Sequence, residues 1–294
     1  MNNSEVTVLE TDYSNDILTF TKLGEAMSNG IDPPEQLIPD LLYEQGIHSI
    51  YSPGGTGKTI MALWCAVQAM DRALHVIYCD EENGSDTIAE LLQCYGADPE
   101  NVDTYLHYAE FPHLTSEETE RWARTINTVR PSLVVFDSFA DMLALEGYDE
   151  NSSVQVTRWI KNFAEPVKQL GGAALILDHI NRANSGKGAR DSTAKLAKVD
   201  VAWKLDGKQF DRQTSAELII KKDKDRMGCL PKQRKFTVGG DGNGNLIFDA
   251  GEVLNVLNPD ELTGKHRVAY EMLVDEYHRA IIASSVTGSQ GRST

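Results

Sequence analysis

The sequence is short of several things, and each shortage narrows the reading. No run of about 18 apolar residues occurs, so no membrane-spanning helix is expected. The first residues, MNNSEVTVLETDYSND, lack the basic start and apolar stretch of a secretory signal, which points to a cytoplasmic protein. The four cysteines, Cys65, Cys79, Cys94 and Cys229, form no C-x-x-C pair. They read as buried thiols rather than as metal ligands or disulfides. Cations are scarce: 28 Lys and Arg stand against 44 Asp and Glu, a net charge of -16, and Lys22 is the sole cation in the first 50 residues. Taken alone, that balance argues against a nucleic-acid partner, whose phosphates repel an acidic surface. No internal repeat is visible.

The cations that do occur are clustered. Arg182, Lys187, Arg190, Lys195, Lys198 and Lys204 fall in one stretch, and Lys221, Lys222, Lys224, Arg226, Lys232, Arg234 and Lys235 in another. A basic stripe on an acidic body remains open beside the plainer reading of solvated loops. The 294 residues are 41% apolar and 24% charged, an ordinary composition for a globular chain with a sizeable core.

Short apolar runs alternate with helical patterns. GIHSIYS, ALHVIYCD, SLVVFDS and AALILDHI read as buried strands. TIMALWCAVQAM places Ile60, Leu63, Trp64 and Val67 on one helical face, DTIAELLQCYG is a helix ending at Gly96, and VQVTRWIKNFAEPVKQLG is a helix that Pro166 kinks or splits. VDVAWKLD, SAELIIKKD, RKFTVGG and NLIFDAG are more alternating strands with Gly and Asp in their turns, expected to pair antiparallel at one edge. The fold class is therefore α/β: a doubly wound, mostly parallel sheet with antiparallel strands at its C-terminal edge. Three segments are expected: a flexible acidic region at 1–32, a core at 33–258, and a C-terminal helix with a disordered tail at 259–294.

The stretch YSPGGTGKTI lies between a strand and a helix. It departs from the phosphate-loop pattern G-x-x-x-x-G-K-[ST] only at Ser52, where glycine is usual. That position sits where the strand turns and needs only a small residue. The grip on phosphate comes from the backbone of the loop and the following helix N-terminus, which Gly54, Gly55 and Gly57 leave free to curl. Ser52, Pro53, Gly54, Gly55, Thr56, Gly57, Lys58, Thr59 and Ile60 are thus the expected nucleotide-binding residues. Lys58 reaches the β- and γ-phosphates and Thr59 offers a hydroxyl to Mg²⁺, the expected ligand being Mg-ATP. LVVFDS delivers Asp137 at a strand tip as the second metal-binding acid. Hydrolysis also needs a carboxylate to orient or deprotonate water. Ser138 follows Asp137, so the acid must come from elsewhere, and Asp80, Glu81 and Glu82 end the neighbouring strand.

With the lead-in PPEQLIPDLLYEQGIHSIYSPGGTGKT, the acid cluster, VVFDS, LDHINR, GARDSTAKLAKVDVAWKL and the sequence Lys224-Asp225-Arg226-Met227-Gly228, the chain resembles the RecA superfamily, and within it the RepA-like ATPases of plasmids and phages, over residues 33 to 250. The resemblance implies a RecA-like core and a homo-oligomeric ring, a hexamer, working on single-stranded DNA as a replicative helicase or recombination-type motor. It implies that Glu82 is the catalytic acid, with Glu81 as the fallback, and that His179 senses the γ-phosphate. By the same resemblance the following loop, with Arg182, Lys187, Arg190 and Lys195, holds DNA through its phosphates. That loop has no aromatic residue before Trp203 for base stacking. Lys224 and Arg226 match the finger that reaches into a neighbouring subunit's ATP. Two other readings stay open: a nucleotide-switched regulatory or assembly ATPase that docks a basic protein partner, and an ATPase of the same fold acting on RNA or a protein.

Overall fold

The computed structural model describes residues 33–109, 116–179, 193–207, 216–240 and 246–253, together with Gly24 and Ser28. The chain divides into two units, Met1–Pro34 and Glu35–Thr294. In the first, Gly24 and Ser28 are helical and the Ser28 hydroxyl donates to the Gly24 carbonyl at 2.9 Å. The expected helix and tail at 259–294 lie outside the described residues.

The second unit runs β1 (Gln36–Ile38), β2 (Leu42–Tyr43), β3 (Ile47–Ser52), α1 (Lys58–Met70), β4 (Val76–Asp80), α2 (Ser85–Cys94), α3 (Pro99–Tyr105) and β5 (Leu106–Ala109). It continues with α4 (Ser116–Val129), β6 (Leu133–Asp137), α5 (Phe139–Leu145), α6 (Ser153–Gln169), β7 (Ala173–His179), α7 (Thr193–Lys198), β8 (Val201–Gly207), β9 (Ala216–Asp225), β10 (Gln233–Gly240) and β11 (Leu246–Val253). β1 and β2 form a small ribbon, and the remaining strands form one nine-stranded sheet in the order β11-β10-β9-β8-β3-β7-β6-β4-β5. Strands β8 through β5 in that order are parallel, and β9, β10 and β11 add to β8 antiparallel. The α/β sheet with an antiparallel C-terminal edge is the architecture expected from the sequence. Among the described residues no helix is long and apolar enough to cross a membrane.

Two apolar layers cover the sheet, and the two-residue period of a strand assigns each side chain to one of them. In β6, Leu133 and Val135 face the layer under α1 and α2, while Val134 and Phe136 face the layer that holds Trp122, Phe139, Trp159 and Phe163 from α4, α5 and α6. Tyr78 of β4 and Leu175 and Leu177 of β7 share the α1 side. α6 runs unbroken through Pro166, a correction to the expected split. Pro166 falls in the last turn, so the one backbone bond it removes lies close to the frayed end. Val156, Trp159, Ile160, Phe163 and Val167 keep the helix face buried against the sheet.

At the base of β3, His48 is fully buried. Its Nε2 accepts the Tyr43 backbone N–H at 3.0 Å, and its Nδ1 has no partner among the described residues. A Cβ on Gly46 would lie 2.4 Å from the imidazole, so this glycine makes room for the ring. Burial drives the His48 pKa down to about 4. Below its ordinary pKa of 6.5 the unfolded chain takes up a proton that the folded ring refuses until about pH 4. Stability is therefore full above that range and falls as the pH drops through it. The expected loss from this residue between pH 7 and pH 5 is about 2 kcal/mol. Denaturant melts at the two pH values check it: a His48→Gln variant, which keeps an acceptor for Tyr43, should show a shallower dependence, and an unchanged slope would remove His48 as the cause.

Candidate functional site

Strand register brings the chemistry to one edge of the sheet. Ser52 of β3 lies beside His179 of β7, and Asp80 of β4 beside Asp137 of β6. All four mark the carboxyl ends of parallel strands, where doubly wound sheets take their ligands.

Residues 53–57 turn from β3 into α1. Gly55 and Gly57 hold φ of 74° and 103°, a left-handed backbone that a side chain would strain. Ser52 is fully buried at the strand end, and the Thr56 hydroxyl ties to the Pro53 carbonyl at 2.7 Å. α1 begins with no side-chain cap and no acid in its first turn, so its N-terminal amides remain open to an anion. Ile60 is buried and its carbonyl accepts the Tyr95 hydroxyl at 2.7 Å. The Lys58 ammonium donates to the Ser52 carbonyl (3.2 Å), the Ser52 hydroxyl (3.4 Å) and the Pro53 carbonyl (3.4 Å), and lies 3.1 Å from His179 Nδ1. Burial lowers its pKa. A buried cation whose direct contacts are neutral is poised for an anionic ligand.

Asp137 is fully buried. Its Oδ2 accepts three donors: the Tyr78 hydroxyl (2.7 Å), the Thr59 hydroxyl (2.9 Å) and the Asn83 amide (3.2 Å). Its Oδ1 has no partner among the described residues. Burial pushes its pKa up to about 6. A bare carboxylate oxygen next to a threonine hydroxyl is a hard-oxygen pair of the kind Mg²⁺ accepts, so these residues fit that ion.

Asp80 shapes the turn that follows β4. It accepts the backbone N–H groups of Glu82 (3.1 Å), Asn83 (3.0 Å) and Gly84 (2.8 Å), and the Tyr108 hydroxyl (2.9 Å). That clamp presents Glu82, whose Oε2 lies 2.9 Å from His179 Nε2. A lysine ammonium can only donate, so His179 Nδ1 accepts from Lys58 and Nε2–H donates to Glu82. The bond from His179 lowers the Glu82 pKa, keeping an anion available as a base. Lys58, His179 and Glu82 thus form one chain of contacts across the mouth of the loop. Glu81 differs: its backbone N–H donates to the Asp137 carbonyl at 2.7 Å, and among the described residues it is Glu82 that reaches His179.

Four residues of this site were not singled out from the sequence for the parts they play: Tyr78, Asn83, Tyr108 and Asp141. Asp141, in the first turn of α5, accepts the Ser138 hydroxyl, and its carboxylate comes within 4.8 Å of the ligand atoms of Glu82 and His179. Strand parity was the available signal for Tyr78. It sits two residues before Asp80 and so shares the face of Asp137.

The cation assignments fare unevenly. Arg182, Lys187 and Arg190 lie outside the described residues. Lys195 is engaged within the chain. Its side chain is 12% exposed and its ammonium pairs at 2.9 Å with both Asp178 and Glu150, over the Phe139 ring. Two carboxylates therefore already pair with its charge. Lys224 donates to the Ala197 and Val199 carbonyls at 3.2 and 2.6 Å, and Arg226 pairs with Asp200 at 3.1 Å while 58% exposed. Asp225 pairs with Val201, itself beside His48 near the start of β3. The finger pair is thus at the far end of the sheet, about 13 Å of strand from Ser52, and cannot serve this subunit's own loop.

Known proteins resemble this chain in sequence and in fold. The AAA_25 family, described as an AAA domain, matches residues 16–185. A RadB DNA repair and recombination protein of Methanococcus maripaludis is 24% identical over 157 residues, 52% of this chain and 72% of the relative. Its counterpart in strain C7 is 24% identical over 185 residues, 58% of this chain and 85% of the relative. The crystal structure of a KaiC-like protein from Pyrococcus horikoshii OT3 superposes with a TM-score of 0.54 at 12% identity, covering 70% of this chain and 90% of that one, a likeness of fold. With its phosphate loop, its buried strand-end carboxylate and a matched stretch of more than half its length, the chain belongs to the AAA_25 family of AAA domains.

Proposed function

We propose that this protein is a Mg-ATP-dependent, ring-forming ATPase of the RepA-like kind, with a core at 33–258, whose turnover is driven by single-stranded DNA. The observation that carries the enzymatic part is the contact chain from Lys58 through His179 to Glu82, with Thr59 and Asp137 beside it. In this reading residues 52–60 bind the triphosphate and Lys58 meets its β- and γ-oxygens. Thr59 and Asp137 would hold Mg²⁺, which would supply positive charge against the phosphates. Glu82 takes the proton of the attacking water or orients it. His179 registers the γ-phosphate, because the ligand that takes Lys58 also removes its contact to the imidazole. Lys224 and Arg226 act on a neighbouring subunit's nucleotide, which makes the working unit an oligomer, a hexamer in the RepA-like case.

DNA as the effector is supported by the RadB relatives, which are named for DNA repair and recombination. Arg182, Lys187 and Arg190 supply cations in the segment that follows β7. The net charge of -16 favours a second reading, a nucleotide-switched assembly ATPase that docks a basic protein. Steady-state ATP hydrolysis with and without single-stranded DNA separates the two, run at low salt and at about 0.15 M. Several-fold stimulation that fades with salt is expected. A rate unmoved by DNA at either salt would overturn the DNA reading and leave the switch.

A further inference from the structure

We propose that Tyr78 and Asn83 are positioning residues for the metal-binding carboxylate: they saturate one oxygen of Asp137 so that the other is left for the divalent cation. The inference rests on reading Asp137 as the metal acid. A carboxylate is symmetric about its last bond, and a buried one left to itself has no preferred oxygen. Here the symmetry is broken. Oδ2 takes all three donors, from Tyr78 at 2.7 Å, Thr59 at 2.9 Å and Asn83 at 3.2 Å, and Oδ1 takes none among the described residues.

The arrangement follows from the fold. Asp80 pairs with Asp137 across β4 and β6, so Tyr78 stands one diagonal step away on the same face, within reach of a long aromatic side chain. Its ring is buried in the layer under α1, the helix that carries Thr59, and its hydroxyl donates to Asp137. Asn83 belongs to the turn clamped by Asp80, and its amide also donates to Asp80 Oδ1 at 3.1 Å. Two carboxylate acceptors fix which end of the amide faces inward. Asn83 therefore joins the metal acid to the turn that presents Glu82, so the cation and the base are set by one hydrogen-bonded unit. The Thr59 hydroxyl donates to Asp137 and keeps its lone pairs for a ligand.

The test is a Mg²⁺ titration of nucleotide binding, read with a fluorescent ATP analogue and, in parallel, by Mn²⁺ electron paramagnetic resonance, on the full chain. Tyr78→Phe removes one oxygen and Asn83→Ala removes a partly buried amide. Each should raise the half-saturating metal concentration about 10–100-fold, the usual cost of losing a residue that orients a metal ligand. Binding of the analogue in excess EDTA should be unchanged, which a general loss of structure would not allow. Asp137→Asn calibrates the result. If it matches the parent, Asp137 is not the metal acid and the inference falls with it. If it loses the metal dependence while Tyr78→Phe and Asn83→Ala keep the parent's half-saturation, the metal acid stands and the positioning role is overturned. Should Tyr78→Phe fail to fold, Asn83→Ala decides alone.

Discussion

A Glu82→Gln variant is expected to bind ATP as the parent does and to hydrolyse it about 10²–10⁴-fold more slowly, the range set by removing a positioned base. The substitution is close to isosteric, so the turn held by Asp80 should persist, since that clamp uses the Glu82 backbone N–H rather than its side chain. What changes is the anion. His179 Nε2–H can still donate to an amide oxygen, and so the contact chain to Lys58 survives with its charge removed. Single-turnover hydrolysis together with equilibrium binding of the nucleotide separates the two steps. Loss of hydrolysis with binding intact fits Glu82 as the base. Equal turnover in the variant would move the role to another carboxylate at the site, and Asp141 is the neighbour within reach.

Much of this site could be read before any coordinates because its chemistry is local in sequence. The phosphate loop is a pattern of eight consecutive residues, and Ser52 fits because the structure asks for a small buried residue there and nothing more. Asp137 could be placed because a buried parallel strand is a continuous apolar run whose first polar residue marks the ligand edge; in β7 that residue is Asp178, and His179 one position on was singled out by the family resemblance. What escaped is what depends on register between strands. Strand parity in VIYCDEEN puts Tyr78 on the face of Asp80, but the meeting of its hydroxyl with Asp137 exists only once β4 lies beside β6 in this alignment. The same holds for Asp80, whose work is to cap the turn rather than to join the catalytic acids. Short elements were lost for a related reason. The ribbon of β1 and β2, the helix α3 and the edge strand β5 are too brief to show a period, and tertiary packing rather than propensity decides them.

Lys195 is a case in which composition alone does not show the contacts a side chain makes, and it carries the second large prediction. A lysine after a glycine-rich basic stretch looks like a phosphate contact, yet adjacent residues of a strand point to opposite faces, and Asp178 points to the side where α7 packs while His179 points to the loop. Lys195→Met is therefore expected to cost about 3 kcal/mol of stability, the scale for stripping one partner from a buried ion pair. The larger share comes from Asp178, 8% exposed, rather than from Glu150, which is 42% exposed and can turn to water. Burial already raises the Asp178 pKa and Lys195 is its largest counterweight, so without Lys195 it rises further. The variant escapes part of its penalty by protonating Asp178, and the loss should shrink as pH falls and grow as it rises. Denaturant melts at two pH values measure this, and Lys195→Met combined with Asp178→Asn should recover part of the loss, because no buried charge is then left alone. A lysine serving as a surface phosphate contact would behave otherwise: melts at either pH would match the parent, and only the salt-dependent response to DNA would weaken.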